Sequence, residues 1–164
     1  MTSAVRTRSL FVSAAAILAF VGAGIAGTIW QADRSHQDLP CTSDGGCRIV
    51  NSSHWSHIDL IFVHDVPVAL LGLAGYVVLL SLAMLRLSTD GPRWDQKLHF
   101  LIGLISGGGV LYSWYLQWVA HVEIGAFCIW CRSSAIVMTV LFLTVMWEWW
   151  AENRPSQRRQ EIHG

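Results

Sequence analysis

The sequence predicts an all-α integral membrane protein, a four-helix transmembrane bundle with a long exoplasmic loop that contains a short amphipathic helix. Hydrophobic residues make up 53% of the 164-residue chain and charged residues only 13%, whereas soluble domains carry about 25% charged residues. The apolar residues are also grouped into long runs, and a bilayer core requires about 20 mostly apolar residues per helix. Composition and grouping together predict helices that span a membrane.

Four segments have the length and composition of a transmembrane helix. Their predicted bounds are about 10–30, 66–86, 98–120 and 126–149. The first two are uncharged up to Arg86, the third carries only His99, and the fourth is interrupted near its start by Arg132. We therefore expect one membrane domain over residues 1–152, followed by a polar cytoplasmic tail over residues 153–164.

The first apolar segment has some features of a secretory signal peptide, because Arg6 and Arg8 precede it and small residues occur at Gly22–Gly27. Its uncharged run covers residues 10–30, which is longer than the roughly 7–15 residues of a signal-peptide core. We therefore expect this segment to stay in the protein as the first transmembrane helix.

Basic residues predict the orientation of the bundle. Eight of the eleven Lys and Arg residues lie before the first span, between the second and third, or after the fourth. They are Arg6, Arg8, Arg86, Arg93, Lys97, Arg154, Arg158 and Arg159. The positive-inside rule places this face in the cytoplasm. Both termini are then cytoplasmic, and all four cysteines lie on or near the exoplasmic side, where disulfides persist.

The exoplasmic loop, residues 31–65, contains a second periodic pattern. Apolar residues recur at helical spacing, with Ser52 or Ser53 available as the N-cap. They are Trp55, Ile58, Ile61 and Phe62. We expect a short amphipathic helix that lies on the membrane surface above the bundle; an irregular loop with scattered apolar residues is the alternative.

The four cysteines form two pairs that predict redox chemistry. Cys128 and Cys131 share a helical face at the predicted start of the fourth span, where unpaired N–H groups favour thiolate. Thiolate is the attacking species in disulfide exchange. Cys41 and Cys47 enclose Thr-Ser-Asp-Gly-Gly, whose glycines allow the loop to turn. Two dithiols at one face predict a relay that passes electrons from protein thiols into the bilayer.

Two other hypotheses remain open. A thiol-based metal carrier or transporter would use the four thiolates as ligands, as tetrahedral zinc sites do, although the spacing of Cys41 and Cys47 is wider than usual for such sites. A structural membrane protein with two inert disulfides is the third hypothesis. The net charge is zero, so nothing indicates nucleic-acid binding.

Longer motifs around the cysteines resemble the vitamin K epoxide reductase family in its bacterial, quinone-linked form. They are Cys41, Cys47-Arg-Ile-Val-Asn-Ser-Ser-His-Trp55, Val66-Pro-Val-Ala-Leu-Leu-Gly-Leu-Ala-Gly-Tyr76 and Phe127-Cys-Ile-Trp-Cys131. The resemblance extends from the first helix to the fourth. It implies an oxidoreductase of the bacterial inner membrane that supports disulfide formation in exported proteins, with ubiquinone or menaquinone as electron acceptor.

The same resemblance implies a role for each cysteine. Cys41 would form the mixed disulfide with a separate thioredoxin-like dithiol protein, and Cys47 would resolve it and pass electrons to Cys128. Cys131 would face the quinone and reduce it. The implied quinone pocket consists of Ser53, Trp55, Val68, Gly72, Tyr76 and Phe127.

Two positions differ from the vertebrate members of the family. Ala135 stands where those members carry a tyrosine, and Val68 lies near the position where they carry an asparagine. The resemblance therefore favours a quinone head group held by apolar and aromatic contacts over vitamin K epoxide as the substrate.

Overall fold

The computed structural model describes residues 2–35, 46–51, 53, 56–58, 66–88, 92–126 and 128–163. Within these ranges the protein is almost entirely helical. The elements are α1 (Thr2–Ser35), α2 (Gly46–Asn51), β1 (His57–Ile58), β2 (Val66–Pro67), α3 (Val68–Ser88), α4 (Pro92–Val119) and α5 (Ile129–His163). Helix α1 packs against α3 and α5, and α4 packs against α5 and α3.

Small residues bring α1 and α3 close together. Ala19 and Ala26 are buried in the main apolar cluster, together with Tyr76 and Leu79 of α3. Gly22 lies between the two alanines, and a Cβ at this position would overlap the ring of Tyr76. Small residues at helix interfaces allow close packing in a membrane, where apolar side chains gain little from burial alone.

Among the residues that the structure describes, three helices are long and apolar enough to cross a membrane, at Ser9–Ser35, Val68–Ser88 and Ile129–Ala151. They correspond to the first, second and fourth predicted spans and identify an integral membrane protein. Helix α4 covers the third predicted span but is not among these three. Its second half carries Tyr112, Ser113, Trp114, Tyr115 and Gln117, which lower its mean hydropathy. The bundle of four spanning helices therefore stays a prediction.

The helix predicted near residues 52–62 is not confirmed. His57–Ile58 instead form a strand antiparallel to Val66–Pro67, and the short helix α2 lies earlier in the loop. Ser53 explains part of the difference, because its N–H and its hydroxyl donate to the carbonyl oxygen of Val50, at 3.3 and 2.7 Å. Ser53 therefore follows the end of α2, and its carbonyl oxygen accepts a hydrogen bond at 3.0 Å from the N–H of Ser56, which lies in a 3₁₀ turn. The described residues do not include Ser52, Trp55, Ile61 and Phe62.

A tight reversal connects α4 to α5. Helix α4 continues into a single π-helical turn, Ala120–Ile124, which ends at Gly125 with a φ of 65°. This left-handed conformation is readily accessible to glycine but costly for other residues. The N–H groups of Gly125 and Ala126 both donate to the carbonyl oxygen of Ala120. Helix α2, which carries Cys47, packs against this turn. Cys47 and Cys128 therefore lie at the same end of the bundle, called here the cysteine end.

At the opposite end, α3, α4 and α5 meet around a buried charge cluster, defined here as Arg86, Asp95, His99 and Glu148. Arg86 Nε lies 2.6 Å from Asp95 Oδ1, and its Nη1 lies 2.8 Å from Glu148 Oε2. His99 Nδ1 is 3.6 Å from the same Glu148 oxygen. The side chains of Arg86 and Glu148 are only 2% and 4% exposed. Arg86, counted above among the basic residues of a connection, is therefore a buried residue of α3 that links three helices.

Candidate functional site

A cavity of about 240 Å³ lies at the cysteine end, between α1, α3, α4 and α5. Most of its wall is apolar. Examples from each helix are Ala26, Ile29, Val68, Leu79, Leu116 and Met138. Both Cys128 and Cys131 line it, and Val50 and Ser53 border it next to α2. The second cysteine pair therefore faces a mostly apolar, partly open space among the helices.

Four of the six predicted pocket residues line this same cavity. They are Ser53, Val68, Gly72 and Tyr76. Trp55 and Phe127 lie outside the described residues. The structure thus brings residues from the loop and from α3 together with the two cysteines of α5, although they are far apart in sequence.

Tyr76 connects two walls of the cavity. Its hydroxyl donates to the carbonyl oxygen of Ser134 at 2.8 Å and lies 3.1 Å from Ser134 Oγ. Ser134 follows Cys131 by three residues, so the two share a face of α5. Because Tyr76 is only 1% exposed, its ring is fixed in position. The tyrosine therefore ties α3 to the part of α5 that carries the thiols.

Cys128 lies directly before the first residue of α5. The N–H of Cys131 donates to Cys128 Sγ at 3.3 Å, and the N–H of Arg132 donates to the Cys128 carbonyl oxygen at 3.0 Å. The hydrogen bond from the Cys131 thiol, assisted by the N–H groups of Cys131 and Trp130, outweighs burial and lowers the pKa of Cys128 to about 7. A substantial fraction of this buried sulfur is therefore thiolate near neutral pH, the form that reacts in disulfide exchange.

The three cysteines that the structure describes are in different redox states. Cys47 is disulfide-bonded and only 2% exposed. Cys128 and Cys131 are free thiols, so neither of them is the partner of Cys47. Cys41 lies outside the described residues. Because Cys128 and Cys131 are reduced, their two thiols can donate electrons to an acceptor in the apolar cavity.

The metal-carrier hypothesis requires several ligands close together. Among the residues that the structure describes, no group of three or more His, Cys, Asp or Glu side chains could hold a metal ion. Cys128 and Cys131 come together there without a third ligand of these types. This part of the chain therefore gives the metal hypothesis no support.

Five polar residues of the cavity wall were not predicted from the sequence: Ser56 of the loop, Tyr112, Ser113 and Gln117 of α4, and Ser134 of α5. A usable signal was present, because Ser113 and Gln117 are four residues apart and so lie on one helical face. Ser134 likewise follows Cys131 at helical spacing. Arg132, the charge that interrupts the fourth predicted span, has an exposed side chain.

Comparison with known protein families matches residues 13–146 to the Vitamin K epoxide reductase family. The matched region covers most of the chain and includes all four cysteines, the cavity residues and every member of the charge cluster except Glu148. A relay of disulfides by a membrane oxidoreductase is the general activity of this family, which is linked to quinones. With a match of this extent, the chain belongs to the vitamin K epoxide reductase family.

Proposed function

We propose that this protein oxidises a separate thioredoxin-like dithiol protein and passes the electrons to a membrane quinone, thereby supporting disulfide formation in exported proteins. One observation carries the proposal. The free thiols of Cys128 and Cys131 line a mostly apolar cavity between the helices, and the pKa of Cys128 is lowered to about 7. Nucleophilic thiols and a space for an apolar acceptor therefore occur together.

Electrons enter the relay through the first cysteine pair. A dithiol of the partner exchanges with the Cys41–Cys47 disulfide through a mixed disulfide at Cys41. The partner leaves as a disulfide, and Cys41 and Cys47 remain as thiols. This exchange moves two electrons and two protons from the partner to the first pair.

The second exchange moves the electrons to the cavity. The Cys47 thiolate attacks Cys128 in a Cys128–Cys131 disulfide, and Cys41 then displaces Cys128. The first disulfide is restored, and Cys128 and Cys131 become thiols. The packing of α2 against the turn before Cys128 supports this step. A bonded Cys47 beside a free second pair corresponds to the state after this exchange.

In the last step the dithiol of Cys128 and Cys131 gives two electrons and two protons to the quinone. The cysteines form a disulfide and the quinone becomes a quinol. The cavity suits one ring head group, because its volume of about 240 Å³ is below the roughly 300–1,000 Å³ of pockets for drug-sized ligands. Ubiquinone and menaquinone both present such a ring.

We place the cysteine end on the exoplasmic side of a bacterial inner membrane. Most of the basic residues lie in the first turns of α1, at the end of α3, at the start of α4 or towards the end of α5, and the positive-inside rule assigns this end of the bundle to the cytoplasm. The exoplasmic side also provides the oxidising surroundings in which a dithiol partner needs a dedicated electron acceptor.

The test is steady-state quinone reduction by the purified protein, driven by a reduced thioredoxin-like protein. We expect Cys128→Ala and Cys131→Ala to lose turnover. We expect Cys41→Ala to lose turnover with the protein donor but to retain part of it with dithiothreitol, because a small thiol does not need the entry cysteine. If the wild type reduces neither ubiquinone nor menaquinone analogues, the proposal is wrong and metal binding by the reduced protein becomes the first alternative.

A further inference from the structure

Hydrogen bonds divide the polar groups of the cavity wall into two sets. The hydroxyl of Tyr76 donates to Ser134, and the hydroxyl of Ser53 donates to Val50. By contrast, Ser113 and Gln117 of α4 line the cavity and make no hydrogen bond within the described part of the chain. The free donors of the wall are thus concentrated on one helix.

Ser113 and Gln117 form a single polar strip. They are one helical turn apart and therefore neighbours on the face of α4 that borders the cavity. Both side chains are partly buried. An amide or hydroxyl beside an apolar space is unfavourable unless it forms a hydrogen bond. Tyr112 also lines the cavity but remains 38% exposed, which places it at the outer margin.

We propose that Gln117, assisted by Ser113, binds one carbonyl oxygen of the quinone and so orients the ring in the cavity that Cys131 lines. This inference rests on the proposed function. A quinone oxygen only accepts hydrogen bonds, whereas the hydroxyl of a quinol also donates one. The amide of Gln117 has both a donor and an acceptor, so it can bind the substrate and the product at one position.

The first variant is Gln117→Met, which keeps the length of the side chain but removes its hydrogen-bonding groups. With partner dithiol held in excess, we expect the KM for quinone to rise about five- to tenfold, the effect of losing one hydrogen bond. Gln96→Met is the matched control, because Gln96 is an exposed residue near the far end of the same helix. This control should leave the KM unchanged.

A second variant separates hydrogen bonding from packing. Gln117→Glu keeps the shape of the side chain but replaces the N–H donors by carboxylate oxygens. At about pH 8 its KM for quinone should exceed that of Gln117→Met. At about pH 6 the ratio of the Gln117→Glu KM to the wild-type KM should fall. A carboxyl in an apolar cavity protonates readily, and its O–H can then donate a hydrogen bond to the quinone. A purely structural role for Gln117 would give no such pH dependence.

Ser113→Ala should raise the same KM about two- to threefold, and it carries the test together with Gln117→Glu if Gln117→Met does not fold. The inference is overturned, and the proposed function stands, if the wild type reduces quinone but the folded variants keep a wild-type KM. The same holds if the ratio of the Gln117→Glu KM to the wild-type KM does not change with pH. If the wild type reduces no quinone, both are overturned.

Discussion

At the cysteine end the helices surround a cavity of about 240 Å³, whereas at the opposite end α3, α4 and α5 close around the charge cluster. The cavity wall includes no Asp, Glu, Lys, Arg or His among the described residues. The charge cluster joins a guanidinium to two carboxylates over distances of 2.6 and 2.8 Å. One end is therefore apolar and accessible to a ligand, and the other is polar and filled.

The difference shows how this fold separates stability from reactivity. Buried charges are tolerated where they are paired, and removal of one partner leaves a costly unpaired charge. The thiols have no such counter-charge in the cavity wall, so thiolate at Cys128 depends on hydrogen bonds from its own helix start. We expect changes in the charge cluster to alter folding and changes near the cavity to alter chemistry.

The largest expected effect on folding comes from a substitution in the charge cluster. Arg86→Met removes the guanidinium from between Asp95 and Glu148 and should lower the free energy of unfolding by about 3–5 kcal/mol. Unfolding in detergent, followed by circular dichroism, measures it. Lys97→Met changes an exposed residue of the same end and should cost at most about 0.5 kcal/mol. A loss below about 1 kcal/mol for Arg86→Met would show that the cluster does not hold the helices together.

The next prediction concerns the pKa of Cys128 at the cysteine end. Because the Cys131 thiol contributes most to lowering the pKa of Cys128 to about 7 from its ordinary value of 9.0, Cys131→Ala should move this pKa upwards. Cys131→Ser keeps an O–H donor and should move it less. The rate of Cys128 alkylation, followed by mass spectrometry, should increase with pH. The midpoint of this increase gives the pKa of Cys128 in each variant. Equal midpoints in both variants would contradict the assigned cause.

The smallest effect concerns the packing that supports the cavity. Gly22→Ala would push a methyl group into the ring of Tyr76 and should destabilise the protein by about 1–3 kcal/mol, with a raised KM for quinone. Gly24→Ala is the control, because a Cβ at Gly24 has no neighbour within 4 Å. It should be neutral or slightly stabilising. Equal melting temperatures for the two variants would show that Tyr76 is free to move.

The sequence predicted the helices well because the spans are long and nearly uncharged. The start of α5 at Ile129 follows the expectation for the Cys-x-x-C motif. The loop was predicted less well. Apolar residues at helical spacing indicated a helix at Ile58, but pairing with Val66 forms a strand there. Such pairing depends on partners distant in sequence, which a local pattern does not contain.

The charge cluster was missed for a similar reason. Arg86 was counted as a loop residue because it ends an uncharged run, and its burial depends on carboxylates from two other helices. Glu148, an acid among tryptophans in the last helix, was the available signal. The cavity role of Gln117 also required the structure, because only the packing of α4 shows which of its faces borders the thiols.

The most direct test of the relay is a single turnover without any thiol partner. Protein with free Cys128 and Cys131 is mixed with an excess of quinone, quinol is measured by absorbance, and the cysteines are mapped by mass spectrometry. The account predicts one quinol per protein, a new disulfide between Cys128 and Cys131, and no change at Cys47. Quinol formed while both thiols remain free, or no quinol at all, would contradict it.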